Sequence, residues 1–398
     1  MGRAPLTILL ASPAYWPARA FGGPVVAARE LVRRLVERGH QVDVLTTTLV
    51  DLHRRPSARG RTEIVDGATV RYLATPVSYR WMGYTPALTL ELQRLGRPDV
   101  VHVFGFRDPV TTITALWCRA RGIPYVFEPL GMFRPRLRKV RLKRAFDSTV
   151  ARGVASHAAA VVVASELERD DMLSGGSEPE RLVVRGNGFP EPPAAGDPSA
   201  AARAAAGVPA GAPLVLSVGR IAAGKGIEHL VATARAIPEA HVVLVGPDDR
   251  HGAGALVEAA QSDPATAGRF HALPATDGPP WDLYRSADVF VLASAGESFG
   301  LVAAEAAAVG TPVVVTDGCG VASCFRDGEA LVVPYDGEAV TAAVGRVLAS
   351  GELRAELGRG GLAAATRHSW ERVVTLQEEL YDAAASRAAS MKFSMLGS

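Results

Sequence analysis

Cysteine is scarce in this chain, with three residues (Cys118, Cys319 and Cys324) among 398. An odd number at irregular spacing excludes a disulfide framework and a cysteine-based zinc site, and fits a reducing cytoplasm. An excess of charge of one sign is also missing. The formal net charge of +2 removes nucleic-acid binding as a property of the whole surface. No apolar run reaches the length that a membrane span needs. The opening run, Leu6 to Ala11, is too short for a signal-peptide core and reads as a strand. The Walker pattern G-x-x-x-x-G-K-[ST] is absent as well. What remains is a soluble globular composition, 48% apolar and 21% charged, on a chain long enough for two cores.

Apolar runs of strand length alternate with stretches of helical period. Leu6 to Ala11, Val42 to Thr46, Asp66 to Thr75, Val100 to Phe104, the run after Gly122 and Ala159 to Ala164 form a first series. Pro213 to Val218, His241 to Val245, Phe270 to Leu273, Val289 to Ala293, Val313 to Thr316 and Ala330 to Val333 form a second. Between them, Pro190 to Gly207 carries P-E-P-P-A-A-G-D-P and reads as a linker. Two strand–helix series imply two Rossmann-like α/β domains, with ligands expected at the C-terminal ends of the strands. A last amphipathic helix begins near His368 and carries Val373, Val374, Leu376 and Leu380. Ser390 to Ser398 follow no helical pattern and read as a tail.

The most informative stretch is Val289 to Gly310: a strand, a Ser/Gly loop and an Ala-rich helix expected from Phe299. Backbone N–H groups and the positive helix end converge there on one spot, where a phosphate is stabilised. Glu297 in the loop suits the hydroxyls of whatever the phosphate carries. Glu305, eight residues on and about two turns into the expected helix, suits a vicinal diol such as a ribose. Either glutamate alone reads as an ordinary helix-start charge; the pair inside strand–loop–helix is far more specific. A second anion-binding loop follows Val218. In Gly219-Arg220-Ile221-Ala222-Ala223-Gly224-Lys225-Gly226, Arg220 offers a bidentate fork, Lys225 a movable point charge, and the glycines backbone access. Near the start of the chain, Gly22-Gly23-Pro24 opens a helix in the same way.

Glu297-Ser298-Phe299-Gly300 with Glu305, together with Gly219-Arg220 and Lys225-Gly226, resembles the retaining glycosyltransferases of family 4, and the resemblance spans nearly the whole chain. It implies a GT-B fold, two Rossmann-like domains facing each other across a cleft, with a C-terminal helix crossing back to the first. The expected division is 1–189, a linker 190–207, a donor domain 208–366, the returning helix 367–389 and a tail 390–398. The implied reaction moves a hexose-type sugar from a UDP- or GDP-sugar to a hydroxyl acceptor. The nucleotide sugar is a co-substrate and no cofactor is implied. No D-x-D triplet occurs, so no metal is called on to hold the diphosphate.

The resemblance assigns Gly23, Gly219, Arg220, Lys225, Glu297, Ser298, Phe299, Gly300, Leu301 and Glu305 to the donor, with Glu297, Arg220 and Lys225 catalytic. Gly22, His102 and Glu128 fall on the acceptor side. Read without the family, His102 on its apolar run is a core histidine, and Glu128 a strand-end carboxylate pairing with an arginine. The chain departs from the family at Leu130, where many members have histidine. Seven basic residues from Arg134 to Arg144 are interleaved with Leu137, Val140 and Leu142. Such a run suits an anionic membrane or acceptor, or simply a solvated face; the expected location is cytoplasmic, with membrane contact through this run as an added feature. Glycan, lipid-linked and small-molecule acceptors all fit. Two other readings share the architecture: a nucleotide-sugar 2-epimerase or hydrolase, and a binding protein without chemistry, which Leu130 favours.

Overall fold

The computed structural model describes residues 4–51, 54–133, 152–194, 200–249 and 252–396. They divide into two compact units, Met1–Gly186 with Glu371–Ser398, and Asn187–Trp370. The basic run Arg134 to Arg144 lies outside the described residues. Among the described residues no helix is long and apolar enough to cross a membrane.

The first unit holds β1 (Thr7–Ala11), β2 (Gln41–Thr47), β3 (Arg61–Val65), β4 (Ala68–Leu73), β5 (Val77–Tyr79), β6 (Met82–Tyr84), β7 (Val100–Phe104), β8 (Tyr125–Glu128), β9 (Ala160–Val163) and β10 (Leu182–Val184). Eight of these form one sheet in the order β10-β9-β8-β7-β1-β2-β4-β3, while β5 and β6 pair as a separate hairpin. Every position of β7 is buried, as a parallel strand covered on both faces requires.

Two expectations need correction here. The strand expected over Asp66 to Thr75 is the shorter β4, Ala68–Leu73, and an unexpected strand, β3, precedes it. Asp66 and Gly67 take positive φ values of 49° and 82° and turn the antiparallel pair β3–β4, which is the geometry that Asp-Gly favours. Most of β3 faces solvent, so no apolar alternation announces it. The C-terminal helix, in turn, runs from Trp370 to Leu396, through most of the expected tail. The sequence from Trp370 to Leu396 contains neither glycine nor proline, and its alanines and methionines favour helix. This helix is fastened to the first unit: Glu378 lies 2.6 Å from Arg38 and 3.1 Å from Nε2 of His40.

The second unit is built on β11 (Leu214–Val218), β12 (His241–Val245), β13 (Phe270–Leu273), β14 (Val289–Leu292), β15 (Val313–Thr316) and β16 (Leu331–Val333). Their order is β13-β12-β11-β14-β15-β16 and every pairing is parallel. Numbered from β11, that is 3-2-1-4-5-6, the Rossmann order, with its reversal between β11 and β14. The expected linker is partly structured: Ala200–Ala205 is helical, and Arg203 in it donates 2.5 Å to the carbonyl of Ser286. The five alanines around the arginine outweigh the breaker-rich composition before it.

Candidate functional site

The exit loops of β11 and β14 emerge side by side at the reversal point of the second sheet, and glycine lets them touch. Gly226 has φ 69°, and a Cβ there would stand 2.0 Å from the carbonyl oxygen of Ala293. Gly246, after β12, is similarly placed, its Cβ position 1.9 Å from the carbonyl oxygen of Gly219. Ala295 N–H donates 2.9 Å to Gly224. With the loops pressed together, the Lys225 ammonium meets Oε1 of Glu297, which also accepts from Ser294 Oγ at 3.2 Å. The two charged side chains are 21% and 23% exposed, so the pair reaches the surface while most of it is shielded. Glu297 is held by its backbone as well: its N–H donates 3.1 Å to Gly318, and its carbonyl accepts 3.1 Å from Gly320.

The helix after this loop starts later than expected. Gly300, at φ 110°, is its left-handed N-cap, and the helix spans Leu301–Ala308. Phe299 is not part of it. Its ring is buried beside Phe189 at 6.4 Å. Glu305 therefore lies in the second turn, not two turns in. It is the only polar residue on an otherwise apolar helix. Tyr284 donates 2.7 Å to its Oε2. Burial pushes the Glu305 carboxyl up to about 7, the tyrosine hydrogen bond acting in the opposite direction. Ser298 and Leu301 flank the cap, both part-exposed. Gly219 leads into Arg220, which is exposed and has no side-chain partner among the described residues.

Of the donor residues expected from sequence, the structure thus joins Lys225 to Glu297 directly and places Arg220 and Glu305 on adjacent elements. Ser294 and Tyr284 were not expected. Ser294 lies three residues before Glu297 in the same loop, a local spacing that could have shown it, whereas Tyr284 stands 21 residues from Glu305 and no spacing rule links the two. In the first unit, Gly22 (φ 75°) is the N-cap of the helix Gly23–Glu37, with Pro24 in its first turn.

His102 and Glu128 are corrected from acceptor contacts to a buried network. Both are almost fully excluded from solvent, at 0% and 1% exposure. His102 Nδ1 lies 2.7 Å from the Tyr381 hydroxyl, and Nε2 lies 3.2 Å from Glu128. Arg185 donates 3.0 Å to the other oxygen of Glu128 and 2.6 Å to Gln377. Burial and the Arg185 charge hold His102 below the ordinary imidazole range against the pull of Glu128. For Glu128 burial acts upward, but the charge of Arg185 and its contacts with His102 win, and its carboxyl sits below the usual range. The network therefore ties β7 and β8 to the C-terminal helix. Arg185→Ala strands a buried carboxylate and is expected to destabilise the protein by about 3–5 kcal/mol in denaturant unfolding.

Glu168 has a related structural role. Ser165 Oγ accepts its N–H at 3.2 Å as expected of an N-cap. The carboxylate accepts from Ala164 N–H at 2.7 Å and from Gly131 N–H, fastening the exit loop of β8, in which Leu130 holds φ 58°.

Residues 199–363 match the family model described as glycosyl transferases group 1, and residues 22–188 match the glycosyl transferase 4-like domain. The D-inositol 3-phosphate glycosyltransferase of Acidothermus cellulolyticus is 30% identical over 386 residues, which cover 89% of this chain and 84% of that protein. The chain belongs to the group 1 glycosyltransferases. A protein of the same description from Xylanimonas cellulosilytica is 33% identical over 240 residues, 57% of this chain and 58% of its own. Among solved structures, this glycosyltransferase is similar to sucrose-phosphate synthase from Thermosynechococcus elongatus, with a TM-score of 0.75 at 23% identity over 95% of this chain and 98% of that one. Starch synthase IV from Arabidopsis thaliana, bound to ADP and acarbose, gives 0.74 at 16% identity over 96% and 100%. These likenesses give the glycosyltransferase a GT-B fold with two Rossmann-like domains.

Proposed function

We propose that this glycosyltransferase transfers a hexose-type sugar with retention, from a UDP- or GDP-sugar to a hydroxyl of a small phosphorylated polyol, without a metal. The acceptor class follows the name of its relatives, the D-inositol 3-phosphate glycosyltransferases. The observation that carries the donor reading is the Lys225–Glu297 pair, set beside exposed Arg220 where β11 and β14 diverge. The bond from the anomeric carbon to the diphosphate oxygen breaks, and negative charge grows on the leaving group. Arg220, Lys225 and the N–H groups at the start of Leu301–Ala308 stabilise that charge. Glu297 orients the sugar hydroxyls and Glu305 holds the ribose. The acceptor oxygen attacks the same face, and its proton passes to the departing diphosphate.

The test is a thermal-shift screen against UDP, GDP, ADP and dTDP, with Glu305→Ala as control. A ligand that binds only the folded state raises the melting temperature by mass action. The expected result is a shift for one nucleotide that is lost in the variant. Absence of any shift sinks the reading.

A further inference from the structure

We propose that Tyr284 is a positioning residue of the donor site, whose hydroxyl anchors one oxygen of Glu305 so that the other is presented to the vicinal hydroxyls of the donor's ribose. The proposal rests on the reading of Glu305 given above. Tyr284 is fully buried, in the short helix Trp281–Ser286 that follows β13. Its hydroxyl is the only hydrogen-bond partner of Glu305 among the described residues, at 2.7 Å from Oε2. A glutamate on a helix of alanines has no other polar neighbour on its own element to choose its rotamer. Three rotatable bonds must then be ordered each time a ligand binds, at an entropic cost. The tyrosine removes that freedom beforehand and leaves both lone pairs of Oε1 for hydroxyl donors.

The tyrosine is itself immobilised. Its carbonyl accepts from Thr311 Oγ1 at 2.6 Å, and its N–H donates 3.0 Å to Pro280. Its ring meets Phe290 edge-on at 5.6 Å. Thr311 lies in the turn just beyond Leu301–Ala308, so Tyr284 is linked both to the glutamate and to the end of the helix carrying it. The hydroxyl also opposes the effect of burial, which favours the neutral carboxyl. Removing it makes Glu305 harder to ionise, and ligand binding is then lost at a higher pH than in the unaltered protein.

The experiment is calorimetry of the full chain, Tyr284→Phe, Glu305→Gln and the double variant, with UDP, GDP and ADP and the 2′-deoxy analogue of each. Titrations are repeated over a pH series spanning about 7. Tyr284→Phe is expected to weaken the nucleotide that the unaltered protein prefers by about tenfold, to affect the 2′-deoxy form less, and to move the pH midpoint of binding upward. In the Glu305→Gln background the same change should add nothing. Unchanged affinity and pH midpoint in Tyr284→Phe, or an equal loss in the Glu305→Gln background, overturns the proposal while leaving the role of Glu305 intact. Unchanged binding by Glu305→Gln alone overturns that role and the proposal with it. Should Tyr284→Phe fail to fold, the unaltered protein still decides. A marked preference for ribose that fades as pH falls through about 7 supports the anchored carboxylate, and equal binding of both sugars refutes it.

Discussion

Lys225→Ala is expected to lower sugar transfer by about 10²- to 10³-fold while the protein stays folded. The figure is that of removing one preorganised donor from developing transition-state charge. Lys225 is suited to the part because it is held ready: its ammonium is tethered to Glu297, which is itself clamped by Ser294 and by the backbone of Gly318 and Gly320. The structural cost of the change is small by comparison. The pair keeps about a fifth of each side chain in solvent, so its loss should cost roughly 1 kcal/mol, the upper end for a surface ion pair. Turnover is measured with the nucleotide sugar selected by the binding screen, alongside a thermal melt. A folded variant with near-normal turnover removes Lys225 from the mechanism. Arg220→Ala, with no ion pair to break among the described residues, separates catalysis from stability still more cleanly.

Gly226→Ala is expected to cost about 3 kcal/mol, a large share of the stability of a typical domain. Two effects add. A side chain at φ 69° pays roughly 1–2 kcal/mol for the left-handed backbone. Its methyl also meets backbone, the carbonyl oxygen of Ala293 at 2.0 Å, which cannot turn aside as a side chain could; such overpacking adds about 1–3 kcal/mol. The relief available is separation of the β11 and β14 exit loops, which also parts Lys225 from Glu297. Activity should therefore fall even where the variant folds. Gly224→Ala is the control. Its φ is a comparable 79°, but a Cβ there meets nothing within 4 Å, so it carries the backbone cost alone, about 1–2 kcal/mol. Chemical denaturation of the two variants measures the difference, and equal losses would show that the contact with Ala293 yields.

Gly226 shows how function and packing look alike in a sequence. Glycines around a lysine read as backbone access for a phosphate, whereas the structure gives Gly226 the task of bringing two loops into contact. His102 and Glu128 show the opposite case: the family resemblance set them on the acceptor side, yet His102 lies against Tyr381, 279 residues along the chain, and against Glu128, whose other oxygen is held by Arg185. Nothing local announces a partner so far along the chain. The hairpin strand β3 was missed because its residues face solvent and carry no apolar period. The helix within the linker was masked by the prolines before it.

The sequence by itself determined the two series of buried strands, the basic loop after β11, and the glutamates eight apart after β14. These are local properties, written as apolar runs, turn residues and short spacings. Only the tertiary structure decided which of those groups meet. Parallel pairing of β11 with β14 carries Lys225 to Glu297 across 72 residues, and the turn at Thr311 sets Tyr284 against Glu305 across 21. The physical reason is the order of the strands, since a hydrogen bond needs its partners within about 3 Å, and it is the sheet, not the spacing along the chain, that brings them there.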